Sequence, residues 1–194
     1  MASCTDISKV QPGSGELYFF DANVWLTILD GYYQKHYTKP YIDFFSTILS
    51  GNFEKKPQIL MASLLLSEIV NRLLRDVHFV DFKAKNATNL GINQPNAFKQ
   101  IYRKDAQYAR DNKIIFQNVK SYQQVIKLID DNFESYRLKD VINDNTTSLD
   151  FNDYVYSKLV KKHKATIITN DIDFSGLSLN ILTANQKLIK RFKG

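Results

Sequence analysis

Short apolar runs that stop abruptly on acidic or amide residues, with helical patterns between them, restrict the folds open to this chain more than any other feature. "LYFF", residues 17–20, ends on Asp21, and "TIIT", residues 166–169, runs into Asn170, Asp171 and Asp173. Runs this short and continuously apolar fit strands buried inside a sheet. Gln58 to Met61 and "NILTAN" read as two more strands. Helical patterns alternate with them: Asn23 to about Tyr33, Pro40 to Leu49 closed by Gly51, and a short terminal stretch from Gln186 to Phe192. Ser63 to about Val77 is strongly amphipathic, with Leu66, Val70, Leu73, Leu74 and Val77 on one face. Such alternation predicts an α/β fold, a three-layer α/β/α domain on a mainly parallel central sheet.

The chain of 194 residues is 44% hydrophobic, enough for a sizeable core in one domain. Residues 1–15, polar and ending in "PGSG", read as a flexible leader, and 16–194 as a single domain with a helical insertion around 79–147. Within that insertion, "QPNAFKQIYRKDAQYARDNK" and "SYQQVIKLIDDNFESYRLKD" read as two charged helices linked through Ile114 to Val119. A single cysteine, Cys4, excludes an intrachain disulfide and a cysteine-based zinc site. With no export signal and no apolar run near the ~20 residues of a membrane helix, a cytoplasmic location is expected. The net charge of +6 and a pI near 9.2 suit a polyanionic partner, and equally a lysine-rich solvated surface, because the charge is spread along the chain.

The chemistry lies in the acids. Ligand sites of parallel α/β sheets collect beyond the carboxyl ends of the strands, where Asp21 and Asp171 fall. Either alone suits a loop start or a helix cap. Asp153 is harder to dismiss, because in the helical stretch from Ser148 to Lys162 it shares the core-facing stripe of Leu149, Tyr156 and Val160. A buried carboxylate is costly unless its charge is compensated. Asp150, three residues after Thr147, has capping-box spacing, and Glu68 sits at the edge of its amphipathic helix with Leu64 and Asn71. Asp21, Glu68, Asp153 and Asp171 come from four segments and can converge only if something offsets their repulsion. A hard divalent cation such as Mg²⁺ does so with oxygen ligands, and the implied chemistry is phosphodiester hydrolysis.

"FFDANVWL", "SLLLSEIVNRLLR" and "DFNDYVYSKLVKKHKATIITNDIDF" together resemble PIN-domain ribonucleases. In that family a helical aspartate precedes a strand-end Thr-x-Asp-x-x-Phe aspartate by about 18 residues, as Asp153 precedes Asp171 here. The resemblance implies a metal-dependent endoribonuclease using Mg²⁺ or Mn²⁺, with Asp21, Glu68, Asp153 and Asp171 as catalytic metal ligands. Asn23, Asp150, Thr169 and Asp173 would be outer members of the site. It also implies an RNA substrate, is compatible with a homodimer, and extends to VapC-like toxins of toxin-antitoxin pairs, which are neutralised by a small antitoxin. The chain is longer than the minimal toxins of that group, with its surplus at 1–15 and 79–147. Two other readings compete. One is a PIN-like RNA-binding module without catalysis. The other is a different Mg²⁺ phosphotransfer fold, such as a haloacid-dehalogenase phosphatase, which needs Asp-x-Asp where this chain has Asp21-Ala22-Asn23, or a receiver domain, and neither gives a role to Glu68.

Overall fold

In the computed structural model, which describes residues 2–30, 38–89, 91–139 and 149–193, six strands form one sheet. The strands are β1 (Ser3–Asp6), β2 (Leu17–Phe20), β3 (Gln58–Ala62), β4 (Ile126–Ile129), β5 (Thr166–Ile168) and β6 (Asn180–Thr183). Their order is β1-β6-β5-β2-β3-β4, and every ladder is parallel. Among the described residues, eight α-helical segments with both ends described accompany them: α1 (Ala22–Asp30), α2 (Lys39–Ser50), α3 (Ser63–Arg72), α4 (Phe79–Lys85), α5 (Ala97–Gln100), α6 (Ala106–Ser121), α7 (Phe151–His163) and α8 (Gln186–Lys193). A π-helical turn, Leu73–His78, joins α3 to α4.

Central β2 shows why the sheet is covered on both faces. Tyr18, Phe19 and Phe20 are all essentially inaccessible. Tyr18 and Phe20 point one way and meet Phe44 and Phe45 of α2, while Phe19 points the other way and meets Tyr156 of α7. Alternate side chains of a strand leave opposite faces, so α2 and α7 lie on opposite sides of the sheet. The result is the three-layer α/β/α architecture expected of a PIN-like domain, and no helix among the described residues is long and apolar enough to cross a membrane.

Three expectations need correction. Residues 1–15 are not a loose leader throughout: Ser3–Asp6 pairs along β6, and Ile7 is buried. A short polar strand is readily mistaken for a leader, yet polar residues suit the edge of a sheet. The stretch after Ser121 does not open as a second charged helix; it forms strand β4 beside β3, followed by a 3₁₀ turn at Phe133–Ser135. The assumed link Ile114 to Val119 lies inside α6. The buried face of α3 is also turned by one residue, to Leu65, Ile69, Leu73 and Leu74, leaving Leu66, Val70 and Val77 only partly covered. The end of the first expected helix falls partly outside the described residues.

Candidate active site

Parallel strands put all their carboxyl ends on one edge, and strand order decides which of those ends are neighbours. Because β5 and β2 are adjacent, Asp21 follows β2 directly beside the turn that follows β5, and its N–H donates to the Ile168 carbonyl at 3.0 Å. From β2 the chain proceeds to β3 on one side, while β5 continues to β6 on the other, so this junction is the switch point where such sheets bind ligands. Glu68 projects from α3, which starts at the end of β3, and Asp153 from the first turn of α7.

Asp21 is only 4% exposed and heavily hydrogen-bonded. Its Oδ1 accepts from the Ala22 N–H (2.6 Å), and its Oδ2 accepts from Asn23 Nδ2 (2.5 Å) and Thr169 Oγ1 (2.6 Å). Burial nevertheless raises its pKa to about 6; the Thr169 and Ala22 bonds work against the rise, and the charges of Glu68 and Asp171 add to it. Thr169 also accepts the Asp171 N–H (2.9 Å), so one buried hydroxyl fixes two acids. The Asn23 side-chain Oδ1 takes the Asn170 N–H at 3.2 Å. Asp171 then caps the 3₁₀ turn Ile172–Gly176 by accepting the Asp173 N–H.

Glu68 is held from the other side. Its Oε2 accepts from Asn152 Nδ2 (2.8 Å) and the Tyr156 hydroxyl (2.7 Å), and its Oε1 lies 4.0 Å from Arg72 Nη1. Asn152 and Tyr156 are one turn apart on α7, so this pair docks α7 against α3 through a carboxylate. Sequence reasoning read Tyr156 as core alone and passed over Asn152; the signal available was their i, i+4 spacing around Asp153.

Asp153 differs from both, because no hydrogen bond from a described residue reaches its carboxylate. Burial first, then the charges of Asp21, Asp150, Asp171 and Glu68, push its pKa up to about 8. The four acids singled out in the sequence are thus brought into one electrostatic field. Asp150 adds to that field; the capping-box partner read for it, Thr147, lies outside the described residues, and Asp150 is the N-cap of α7, accepting the Asp153 N–H at 2.9 Å. Among the described residues the carboxylate oxygens of Asp153, Asp171 and Asp173 lie within 4.8 Å of one another, close enough to share one ion. Asp173, read as an outer residue, therefore stands nearer to Asp153 and Asp171 than that reading placed it. A divalent cation fits this chemistry, since the donors are hard oxygens and the closest carboxylate to neutral is the one with no hydrogen-bond donor among the described residues.

Beside Asp171 opens a cleft of about 530 Å³, walled in part by Asn23, Tyr41, Arg72, Asn170 and Lys187. Tyr41 of α2 supports its floor: the buried hydroxyl donates to the Thr169 carbonyl (3.1 Å) and accepts the Ala184 N–H (2.8 Å), tying the ends of β5 and β6 together. The basic run "KLVKKHK" lies elsewhere. Lys161, Lys162 and His163 are in the last turn of α7, about 12–15 Å of helix rise from Asp153.

No protein-family model matches the chain, and no curated protein does. Among solved structures, VapBC2 from Rickettsia felis bound to a DNA fragment from its promoter contains a chain similar to this one. The TM-score is 0.48 at 13% identity, covering 85% of this chain and 96% of that one. A likeness at that level assigns neither family nor activity, which leaves the acid cluster to carry the functional reading.

Proposed function

We propose that the protein is a metal-dependent endoribonuclease that hydrolyses RNA phosphodiester bonds at the carboxyl edge of its sheet. The observation that carries this reading is Asp153: a carboxylate with no donor from a described residue, set among the charges of Asp21, Asp150, Asp171 and Glu68. Repulsion left standing in that way is the cost of a site completed from outside. Mg²⁺ or Mn²⁺ is the proposed cofactor, held by Asp153 and Asp171 with Asp173 in reach and with Asp21 and Glu68 behind them. When bound, it would compensate the acids and lower the pKa of a bound water. The protein's own part is orientation. Thr169 and Asn23 fix the Asp21 carboxylate, Asn152 and Tyr156 fix Glu68, and the 3₁₀ turn sets the direction of Asp171. Single-stranded RNA is the better substrate class, because a splayed backbone can enter a narrow cluster that a stiff A-form duplex cannot.

A toxin role with a small antitoxin partner, and a cytoplasmic location, extend this reading on the strength of the sequence resemblance. The test is cleavage of a mixed RNA pool by purified wild type and Asp21→Ala, matched for folding by circular dichroism. Cleavage by the wild type with Mg²⁺ or Mn²⁺, its loss in EDTA, and a fall of at least about 10²-fold in the variant are expected. Equal cleavage by both proteins would favour the RNA-binding module.

A further inference from the structure

The cleft beside Asp171 is built differently from the acid cluster it adjoins. At about 530 Å³ it lies within the ~300–1,000 Å³ of ligand-sized pockets. Its amide oxygens are already engaged: Asn23 Oδ1 takes the Asn170 N–H, Asn185 Oδ1 takes the N–H groups of Lys187 and Leu188, and Asn170 Oδ1 shares the Tyr41 hydroxyl proton with the Thr169 carbonyl. Its donors are not. Asn170 Nδ2 has no partner among the described residues, and no described carboxylate pairs with the Lys187 ammonium. The Arg72 guanidinium, also in the wall, adds positive potential even while it pairs with Glu68 and Asp76. With one amide donor and one ammonium unused, its amide oxygens engaged, and two cations against one lining carboxylate, Asp171, the wall selects a ligand that is negative and rich in acceptors. A free anion would be repelled by the acids next door. An anion tethered to a chain already anchored at those acids would not.

We infer that this cleft is the subsite for the phosphate of the nucleotide next to the scissile one, with Lys187 as its cation and the Asn170 amide as its neutral donor. The inference rests on the nuclease reading and gives the bound strand a direction across the edge of the sheet. The acid cluster takes one phosphate, and the strand leaves over α8 rather than along α7, whose Lys161 and Lys162 lie at its far end.

The test is binding, measured apart from cleavage. The full chain carrying Asp153→Asn is titrated in Mg²⁺ against a short fluorescein-labelled single-stranded RNA, with anisotropy read over a series of salt concentrations. Lys187→Ala is added to that background, then Lys187→Glu, and as a control Lys99→Ala, which removes an exposed lysine of α5 outside the cleft. Lys187→Ala should weaken binding about tenfold, the worth of one charge-assisted phosphate contact. It should also reduce the slope of log K against log salt by about 0.7, one phosphate contact on a single strand. Lys187→Glu should weaken it further, and Lys99→Ala should change neither quantity. Equal losses at Lys99 and Lys187, no loss at Lys187, or no binding by the parent would each overturn the inference. Lys187-dependent binding together with equal cleavage by wild type and Asp21→Ala would keep the subsite while removing the hydrolysis.

Discussion

Asp153 carries the most unfavourable electrostatics among the acids. A carboxyl whose folded pKa stands at about 8 against an ordinary 3.8 holds its proton more tightly in the folded chain than in the unfolded one. The cost of ionising it is therefore absent below about pH 4, grows as the pH rises, and levels off above about 8. Asp21, at about 6, adds the lower part of the same trend. In metal-free protein the melting temperature should fall between pH 6 and 8 and flatten beyond, and Mg²⁺ should restore it at pH 8. Asp153→Asn should remove that slope and raise the metal-free melting temperature at pH 8 by about 2–4 °C, equivalent to about 1 kcal/mol once solvent screening is allowed for. A fall in stability would show instead that Asp153 holds the fold. Asp153 was legible in the sequence because it breaks the pattern of a core stripe, and Asp21 and Asp171 because they interrupt apolar runs. Asn152 was not, since a half-buried asparagine on a helix has no pattern to break; only the Glu68 carboxylate, 84 residues away, gives it meaning.

At the level of elements, the strands that surround the site were legible and those at the rim were not. β2, β3 and β5 are covered on both faces and read as continuous apolar runs, whereas β4 is only partly covered, with Leu128 76% exposed, and its four residues vanish among charged neighbours. The contribution of α2 was equally hidden. Its sequence reads as an amphipathic helix with an apolar face, yet Tyr41 on that face is the hydroxyl bracket between β5 and β6. Tyr41→Phe would leave the Ala184 N–H and the Thr169 carbonyl short of a partner at a cost of about 1–3 kcal/mol, or roughly 3–10 °C in melting temperature. Because Thr169 in turn orients Asp21 and Asp171, turnover should fall, and RNA affinity, through the hydroxyl's contact with Asn170, should fall by less than in Lys187→Ala. A variant that melts lower but turns over as the wild type would limit Tyr41 to a structural role.

For the whole molecule, strand order matters more than any one element. β1 comes first in sequence but completes the sheet beside β6, so removing residues 1–9 uncovers the β6 edge and takes away buried Ile7. Melting temperature should drop by roughly 5–10 °C, with aggregation visible on size exclusion, where a loose leader would have made the deletion neutral. The central junction has a wider consequence. Thr169 and Asp21, joined by one hydrogen bond, are 148 residues apart, and the β2–β5 ladder beneath them spans the same gap. During synthesis, a ribosome that has made Asp21 and Glu68 must still translate most of the protein before β5 can pair. Until then the acids stay scattered along the growing polypeptide, and their cluster assembles only once β5 has left the ribosome and paired with β2.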